Sequence, residues 1–371
     1  MALVKVGEIL ISIDTTDFIN SGALLQGPNQ KIWVAVGPFR RQSVVSGEFA
    51  FYAPDFFLRD KKPYWVPSKV VECSLAEFRT WITESGLVGA APSGWQAPEI
   101  SEFAPRFSEL QSLFAAGALK KAVPVVFERA SNVEAASMLQ QILNTLASTD
   151  VRGYRYGLWS EGEGMIGVTP EVLLQQQGSL FKTMALAGTR SKKSDLSLLD
   201  DPKQVHEHHL VIDDICQALA DLAKPVVSDV YEFDVGAMYH LRADIEWKAD
   251  GARYDQVVSK LHPTAALGAS PRPFGWEWLQ AQPESNLRWR YGAPFGVVGN
   301  GVGFTLVAIR NVQFQGSNVL LGSGCGIVPQ SQLETEWREF HLKRQSVMAM
   351  LGLSSNRVSF AHGSSLQATS L

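Results

Sequence analysis

"KQVHEHHLVIDDI", Lys203–Ile215, is the stretch from which the fold is read. It forms the first part of a long helix expected over Lys203–Ala223. Strand-like runs stand on both sides of it. Before it come "YRYGLWS" (154–160), "MIGVT" (165–169), "VLLQQ" (172–176) and "LFKTMAL" (180–186); after it come "VVSDVYEF" (226–233) and "MYHLRADIEW" (238–247). Strands that arrive in runs and are interrupted by long helices, without strict strand–helix alternation, imply an α+β fold with large antiparallel or mixed sheets.

Working outward, "SELQSLFAAGALKK" predicts a helix starting at Ser108, and "AVPVVFE" (122–128) a strand. "NVEAASMLQQILNTLA" predicts a second helix capped by Asn132. Shorter helices are expected near Tyr254–Leu261 and Gly275–Ala281. "GVGFTLVAIRNVQF" (301–314) and "NVLLGSGCGIV" (318–328) read as paired strands, and "QLETEWREFHLKRQSVMAMLGL" (332–353) as an amphipathic C-terminal helix. The first hundred residues, with runs such as "KIWVAVG" (31–37), read as strands and loops. "APSGWQAPEISEFAPRF" (91–107) reads as a proline-rich connection. No linker divides the chain, so one unit over residues 1–353 is expected, with a Ser-rich, disordered tail over 354–371.

The 371 residues are 46% hydrophobic and 19% charged, with a formal net charge of -4. That is ordinary globular composition without a basic surface, which argues against a nucleic-acid partner. No apolar run reaches membrane-spanning length. The start, MALVKVGEILISIDTTDF, lacks the features of a secretory leader. Cys73, Cys216 and Cys325 are odd in number and far apart, as in a reduced, cytoplasmic protein.

His206-Glu207-His208-His209 invites a zinc reading, but the second histidine of an HExxH motif would be residue 210, which is Leu. His206 and His209 share a helix face, with no third ligand in a recognisable motif. Glu207 opens a second reading. A carboxylate suits a hard cation such as Mg²⁺, and Glu336 and Glu339 lie three apart on the last helix as possible co-ligands. On spacing alone, a solvated polar face accounts equally well for all of these residues.

Nine stretches, taken together and in order, resemble the chorismate-utilising enzyme family. They are "KKAVPVVFER", "GVTPEVLL", "MALAGTR", "DPKQVHEHHLVIDDI", "LHPTAALGASPRP", "RYGAPFG", "LVAIRNV", "GSGCGIVPQS" and "EWREFHLKR", spanning Lys120–Arg344. The family includes isochorismate, salicylate, anthranilate and aminodeoxychorismate synthases. The resemblance implies two large antiparallel sheets packed together, with helices outside and the active site in a cleft between the sheets. It implies chorismate as substrate, and one Mg²⁺ held by Glu207 and Glu339, with Glu336 reaching it through water.

Within the family, the resemblance makes Lys121 the base that activates water and Glu171 the acid that protonates a leaving hydroxyl. Their separation of 50 residues resembles that of siderophore-type isochorismate synthases. Ala187 stands where aminodeoxychorismate synthases carry a nucleophilic lysine. The activity implied is therefore an isochorismate synthase feeding menaquinone or siderophore synthesis. Salicylate synthase and anthranilate synthase component I are the alternatives. By the same resemblance, Arg310 pairs with a substrate carboxylate, Gly188, Thr189, Gly324 and Gly326 lie against the ligand, and His262, Tyr291 and Lys343 line the site. No amidotransferase subunit is expected, and a monomer or weak homodimer suffices.

Overall fold

In the computed structural model, residues 12–354 are described, apart from 46, 193–195, 237 and 300–301. All strand pairings among them are antiparallel, and they build an eight-stranded sheet, a ten-stranded sheet and one two-stranded pair. The α+β expectation holds.

Pleating sends alternate side chains to opposite faces, so each large sheet has an inner and an outer apolar face. The inner faces meet in one cluster. Leu25, Tyr156, Leu158 and Met165 come from the eight-stranded sheet, and Phe51, Met184, Phe295 and Leu306 from the ten-stranded one. The outer face of the eight-stranded sheet is covered by the helices Leu75–Glu84 and Ala135–Ser148. The outer face of the ten-stranded sheet is covered by the helices Pro202–Leu219 and Tyr254–Leu261. Each large side chain so buried contributes roughly 1.5–3 kcal/mol relative to its exposed state.

The strands of the N-terminal hundred residues join both large sheets. Gly22–Gln26, Lys31–Val36 and Lys69–Ser74 extend the eight-stranded one; Arg40–Gln42, Ala50–Tyr52 and Tyr64–Val66 extend the other. The helices Thr15–Asn20 and Leu75–Glu84 in this region were not foreseen.

Several local expectations need correction. The helix placed from Ser108 begins at Ile100, and it absorbs Pro105 as well as part of the expected connection. The second helix starts at Ala135, and its cap is Glu134, whose carboxylate accepts the N–H groups of Ala136 and Ser137. Asn132 instead occupies the left-handed region, at φ 59°. The long helix is Pro202–Leu219, stopping four residues short of Ala223. "VVSDVYEF" is two short strands, Val226–Val227 and Tyr231–Asp234, both paired to Met238–Lys248. The expected tail beyond Ser354 lies outside the described residues.

The most consequential correction concerns "GVGFTLVAIRNVQF". It is not one strand. Val302–Val307 belongs to the ten-stranded sheet and Asn311–Gln315 to the eight-stranded one. The chain changes sheet at Ala308–Arg310. Its neighbour does the same between Glu163–Thr169 and Val172–Gln177, changing sheet at Pro170-Glu171. The two segments stay paired on both sides of the split, Gly167 opposite Asn311 and Val172 opposite Leu306. A cleft opens where both chains part.

Candidate active site

A cavity at that split is lined by Glu171 and Arg310 from the two crossings. Neither crossing residue is free to be ordinary strand. Arg310 has φ 55°, a left-handed backbone that costs a non-glycine residue on the order of 1 kcal/mol. Glu171 is 5% exposed, and burial pushes its carboxyl up to about 7, against the opposing pull of Lys121, Arg310 and Lys343. It can therefore carry a proton near neutral pH.

Arg310 is half-buried, and the loss of water around it lowers its guanidinium to about 10. Its Nη1 donates to the Val235 carbonyl at 3.2 Å, and its Nη2 lies 3.2 Å from His240 Nε2. Among the described residues it makes no ion pair with a carboxylate. His240 explains how such a group is held. Burial lowers its imidazole to about 3, so it is neutral. Nδ1–H donates to the Gly188 carbonyl at 2.7 Å, leaving Nε2 as the acceptor for Arg310. A desolvated guanidinium facing a cavity is a ready receptor for an anionic ligand.

Gly188 and Thr189 sit at a register break of Leu180–Ser191 between Ala187 and Arg190. Gly188 has φ 71°, the left-handed region where glycine carries no side-chain penalty. The Thr189 N–H donates to Gln204 Oε1 at 2.8 Å, which ties the break to the helix Pro202–Leu219. Ala187 lines the cavity with a methyl group, so no nucleophilic amine is present at that position.

That helix starts sharply because Asp201 caps Lys203 and Gln204 and because Pro202 needs no hydrogen-bond partner in the first turn. Glu207, Val211, Ile215 and Leu219, spaced by four, are all buried. Glu207 is thus the polar end of an apolar stripe, and it enters the cavity. His206 and His209 are exposed. His208 is buried, with Nε2 3.2 Å from the Ala185 carbonyl, and burial lowers it to about 4. Among the described residues, the group of His, Cys, Asp and Glu donors close enough to hold an ion is Cys325, Glu336 and Glu339, whose ligand atoms lie within 4.8 Å of one another, and it includes no histidine.

The C-terminal helix Leu333–Met350 brings Glu339 and Lys343 to the cavity, four apart on one face. Lys343 Nζ lies 2.7 Å from Glu339 Oε1 and donates to the Gly324 carbonyl at 3.0 Å. Burial by itself would raise the Glu339 carboxyl; the Lys343 ammonium, together with the Cys325 thiol and the Lys203 ammonium, outweighs it and holds the group below the usual carboxylate range. Gly322, Gly324 and Gly326 line the opposite wall. Two of them are tight: a Cβ on Gly322 would meet the Tyr291 ring at 2.5 Å, and one on Gly326 would meet Glu207 Oε1 at 2.1 Å.

Three expected residues lie elsewhere. Lys121 is fully buried behind Glu207, its Nζ 2.9 Å from Glu207 Oε1, and it does not itself line the cavity. Glu336 is 1% exposed and also off the wall; it accepts from Lys203 Nζ at 2.6 Å and from Cys325 Sγ at 3.3 Å. His262 corrects the sequence reading most clearly. It packs edge-on to Phe56, with Nε2 2.7 Å from the Phe56 carbonyl, outside the cavity. Burial lowers it to about 3, so it is a neutral structural group. Tyr291 does line the cavity, beside Ala266 and Leu267. Arg288, missed from the sequence, donates to the Leu267 carbonyl at 2.8 Å and fixes that wall.

Glu207 and Glu339 reach one cavity from two helices, and both offer only hard oxygen donors. That donor set fits Mg²⁺, which is commonly held by one or two carboxylates together with water and ligand oxygens. No helix among the described residues is long and apolar enough to cross a membrane.

Comparison with known proteins bears on the family and the fold. The profile of the family described as "Chorismate binding enzyme" matches residues 92–352. Isochorismate synthase MenF of Bacillus subtilis (strain 168) is 28% identical over 228 residues, which cover 58% of this chain and 48% of that protein. The vibriobactin-specific isochorismate synthase of Vibrio cholerae is 27% identical over 279 residues, covering 71% of this chain and 69% of the relative. The chain thus spans about half the length of the first relative and more of the second. The solved structure of MenF, the menaquinone-specific isochorismate synthase from Escherichia coli, superposes with a TM-score of 0.75 over 92% of both chains. At 20% identity that likeness speaks to the fold.

Proposed function

This chain belongs to the chorismate binding enzyme family, and on that premise we propose that it is a Mg²⁺-dependent isochorismate synthase. The reaction adds water at C2 of chorismate and expels the C4 hydroxyl. The observation that carries the reading is Glu171, a cavity carboxyl held near neutrality by burial, beside the Arg310 guanidinium. Hydroxide is a poor leaving group, and a carboxyl that still holds a proton at working pH supplies what its departure needs.

Arg310, oriented by His240, receives one substrate carboxylate as a two-pronged donor. Glu207 and Glu339 hold Mg²⁺, which when bound neutralises the ring carboxylate. Lys121 is the base for the attacking water. To act there, its Nζ has to turn from Glu207 toward the cavity, and the lack of a side chain at Gly326, which faces both groups, leaves room for it. Ala187 supports water as the nucleophile, because that wall offers no amine to attack the ring. The names of the relatives support a product destined for menaquinone or a siderophore; a cytoplasmic enzyme working without an amidotransferase partner is part of the same proposal.

The test is to incubate the purified protein with chorismate and Mg²⁺, without ammonia, and to separate the products. Isochorismate without pyruvate is expected. Salicylate with pyruvate would reassign the chain to a lyase-coupled salicylate synthase. Anthranilate formed only on adding ammonia would remove Lys121 from its role.

A further inference from the structure

Three acids at or beside the cavity each pair with a lysine. Glu207 pairs with Lys121 at 2.9 Å, Glu336 with Lys203 at 2.6 Å and Glu339 with Lys343 at 2.7 Å. Two of these pairs are accounted for above: Lys121 is the proposed base, and Lys343 lines the cavity beside Glu339. The Lys203–Glu336 pair has no such duty. We propose that Lys203 sets the coordination and the affinity of the metal site: it holds Glu336 out of the coordination sphere, leaving two carboxylates for the ion, and competes electrostatically with the ion that binds them. This assignment rests on the metal reading given under the proposed function.

The geometry supports it in three ways. Lys203 and Glu207 are four apart on one helix, so the ammonium and a metal carboxylate face the C-terminal helix together. Both oxygens of Glu336 are engaged, Oε1 by Lys203 and Oε2 by the Cys325 thiol, so the carboxylate is held toward these two donors. Glu336 and Glu339 offer ligand atoms within 4.8 Å of Cys325 and of one another, near enough that Glu336 would join an ion at Glu339 if nothing restrained it. The ammonium has 24% of its side chain exposed, whereas the Glu336 side chain is 1% exposed. Burial works against the Lys203 charge, but Glu336 first, with Glu207 and Glu339 behind it, raises its pKa above the ordinary lysine value. A fixed positive charge this close to a divalent-cation site lowers the cation's affinity, because like charges repel more strongly in a poorly hydrated pocket than in water. The neutral variants should therefore expose a tighter, three-carboxylate site.

The experiment is metal binding without substrate, read by calorimetry with Mg²⁺ and by electron paramagnetic resonance with Mn²⁺ as the probe. Lys203→Gln and Lys203→Met should bind Mn²⁺ at least about tenfold more tightly than the unaltered protein, and Lys203→Arg within about threefold of it. Unchanged or weaker binding in both neutral variants overturns the proposal. So does tighter binding in Lys203→Arg. Glu207→Gln and Glu339→Gln separate the two readings. If both bind Mn²⁺ as the unaltered protein does, the metal site itself is wrong. If both lose Mn²⁺ while Lys203→Gln is unchanged, only the role of Lys203 falls. Should the neutral variants not fold, the ¹⁵N signal of the Lys203 ammonium, identified by its loss in Lys203→Arg, should shift when Mg²⁺ is added to the unaltered protein. A signal that stays in place overturns the proposal.

Discussion

Gly326 is pressed against Glu207: a Cβ at Gly326 would lie 2.1 Å from Glu207 Oε1 and 3.1 Å from Lys121 Cε. One backbone position therefore sets the placement of both Glu207 and Lys121, the proposed metal carboxylate and base. Glu207 is buried, so the carboxylate has little freedom to retreat. Gly326→Ala should lower kcat/KM at least about 100-fold, by displacing catalytic groups rather than by deleting them. Steady-state kinetics beside a thermal melt will check this. Full activity in the alanine variant would show that Glu207 can move without cost.

Glu171 predicts a pH dependence with two faces. The acid must hold its proton, so turnover should fall as pH rises through about 7. The same shift acts on stability. The folded group titrates near 7, against 4.5 for the ordinary carboxyl. Its contribution to stability is thus full below 4.5 and is lost as pH rises through 7. Glu171→Gln should abolish the alkaline limb together with nearly all turnover. At pH 8 it should also be more stable than the unaltered protein, by on the order of 2 kcal/mol, a difference that vanishes near pH 5. Denaturant melts at the two pH values give the answer.

On the proposed reading, Arg310 and His240 act as one unit in the binding of the substrate carboxylate. Lysine cannot reproduce a two-pronged guanidinium contact, so Arg310→Lys should raise KM by about tenfold to 100-fold. His240→Ala leaves Arg310 in place but removes the acceptor 3.2 Å from its Nη2. It should raise KM by about tenfold and change kcat less. A His240 variant that lost kcat with unchanged KM would mean that the imidazole acts on the reaction rather than on the guanidinium.

Lys121→Ala should reduce kcat by about 100-fold to 10,000-fold, the usual range for a lost general base. It should also leave Glu207 without its 2.9 Å partner. A buried carboxylate so stranded destabilises the protein, so the melting temperature should fall unless Mg²⁺ is added. Quenched-flow product analysis and melts with and without Mg²⁺ separate the two effects.

Much of the scaffold was legible because it depends on local pattern. Tyr154–Ser160 appears as read, and Tyr254–Leu261 likewise, because period and propensity agree there. Glu207 is in phase with Val211, Ile215 and Leu219 while His206 and His209 are out of phase, but spacing does not separate it from His208, which is buried as well. The failures share another cause. Asn132 looks like a cap, but Glu134 takes that place. Pro105 looks like a breaker, but the helix Ile100–Ala115 continues through it, its buried Phe103 and Leu110 packed into the core. His262 sits in a recognisable motif, yet Phe56, some two hundred residues away, takes its hydrogen bond.

By itself the sequence determined the α+β class, the order of the motifs and the residue types that the proposed hydroxyl transfer would use. It could do so because strand alternation, helix phase and chemical identity are properties of neighbouring residues. Only the tertiary structure decided that Glu171 and Arg310 share a wall, that Lys121 stands behind Glu207 and that Lys203 occupies Glu336. Those relationships arise where two paired segments leave one sheet for the other and where two helices meet over the gap. Burial there sets which charges must find partners, and burial is a property of the assembled fold, with no counterpart in local spacing.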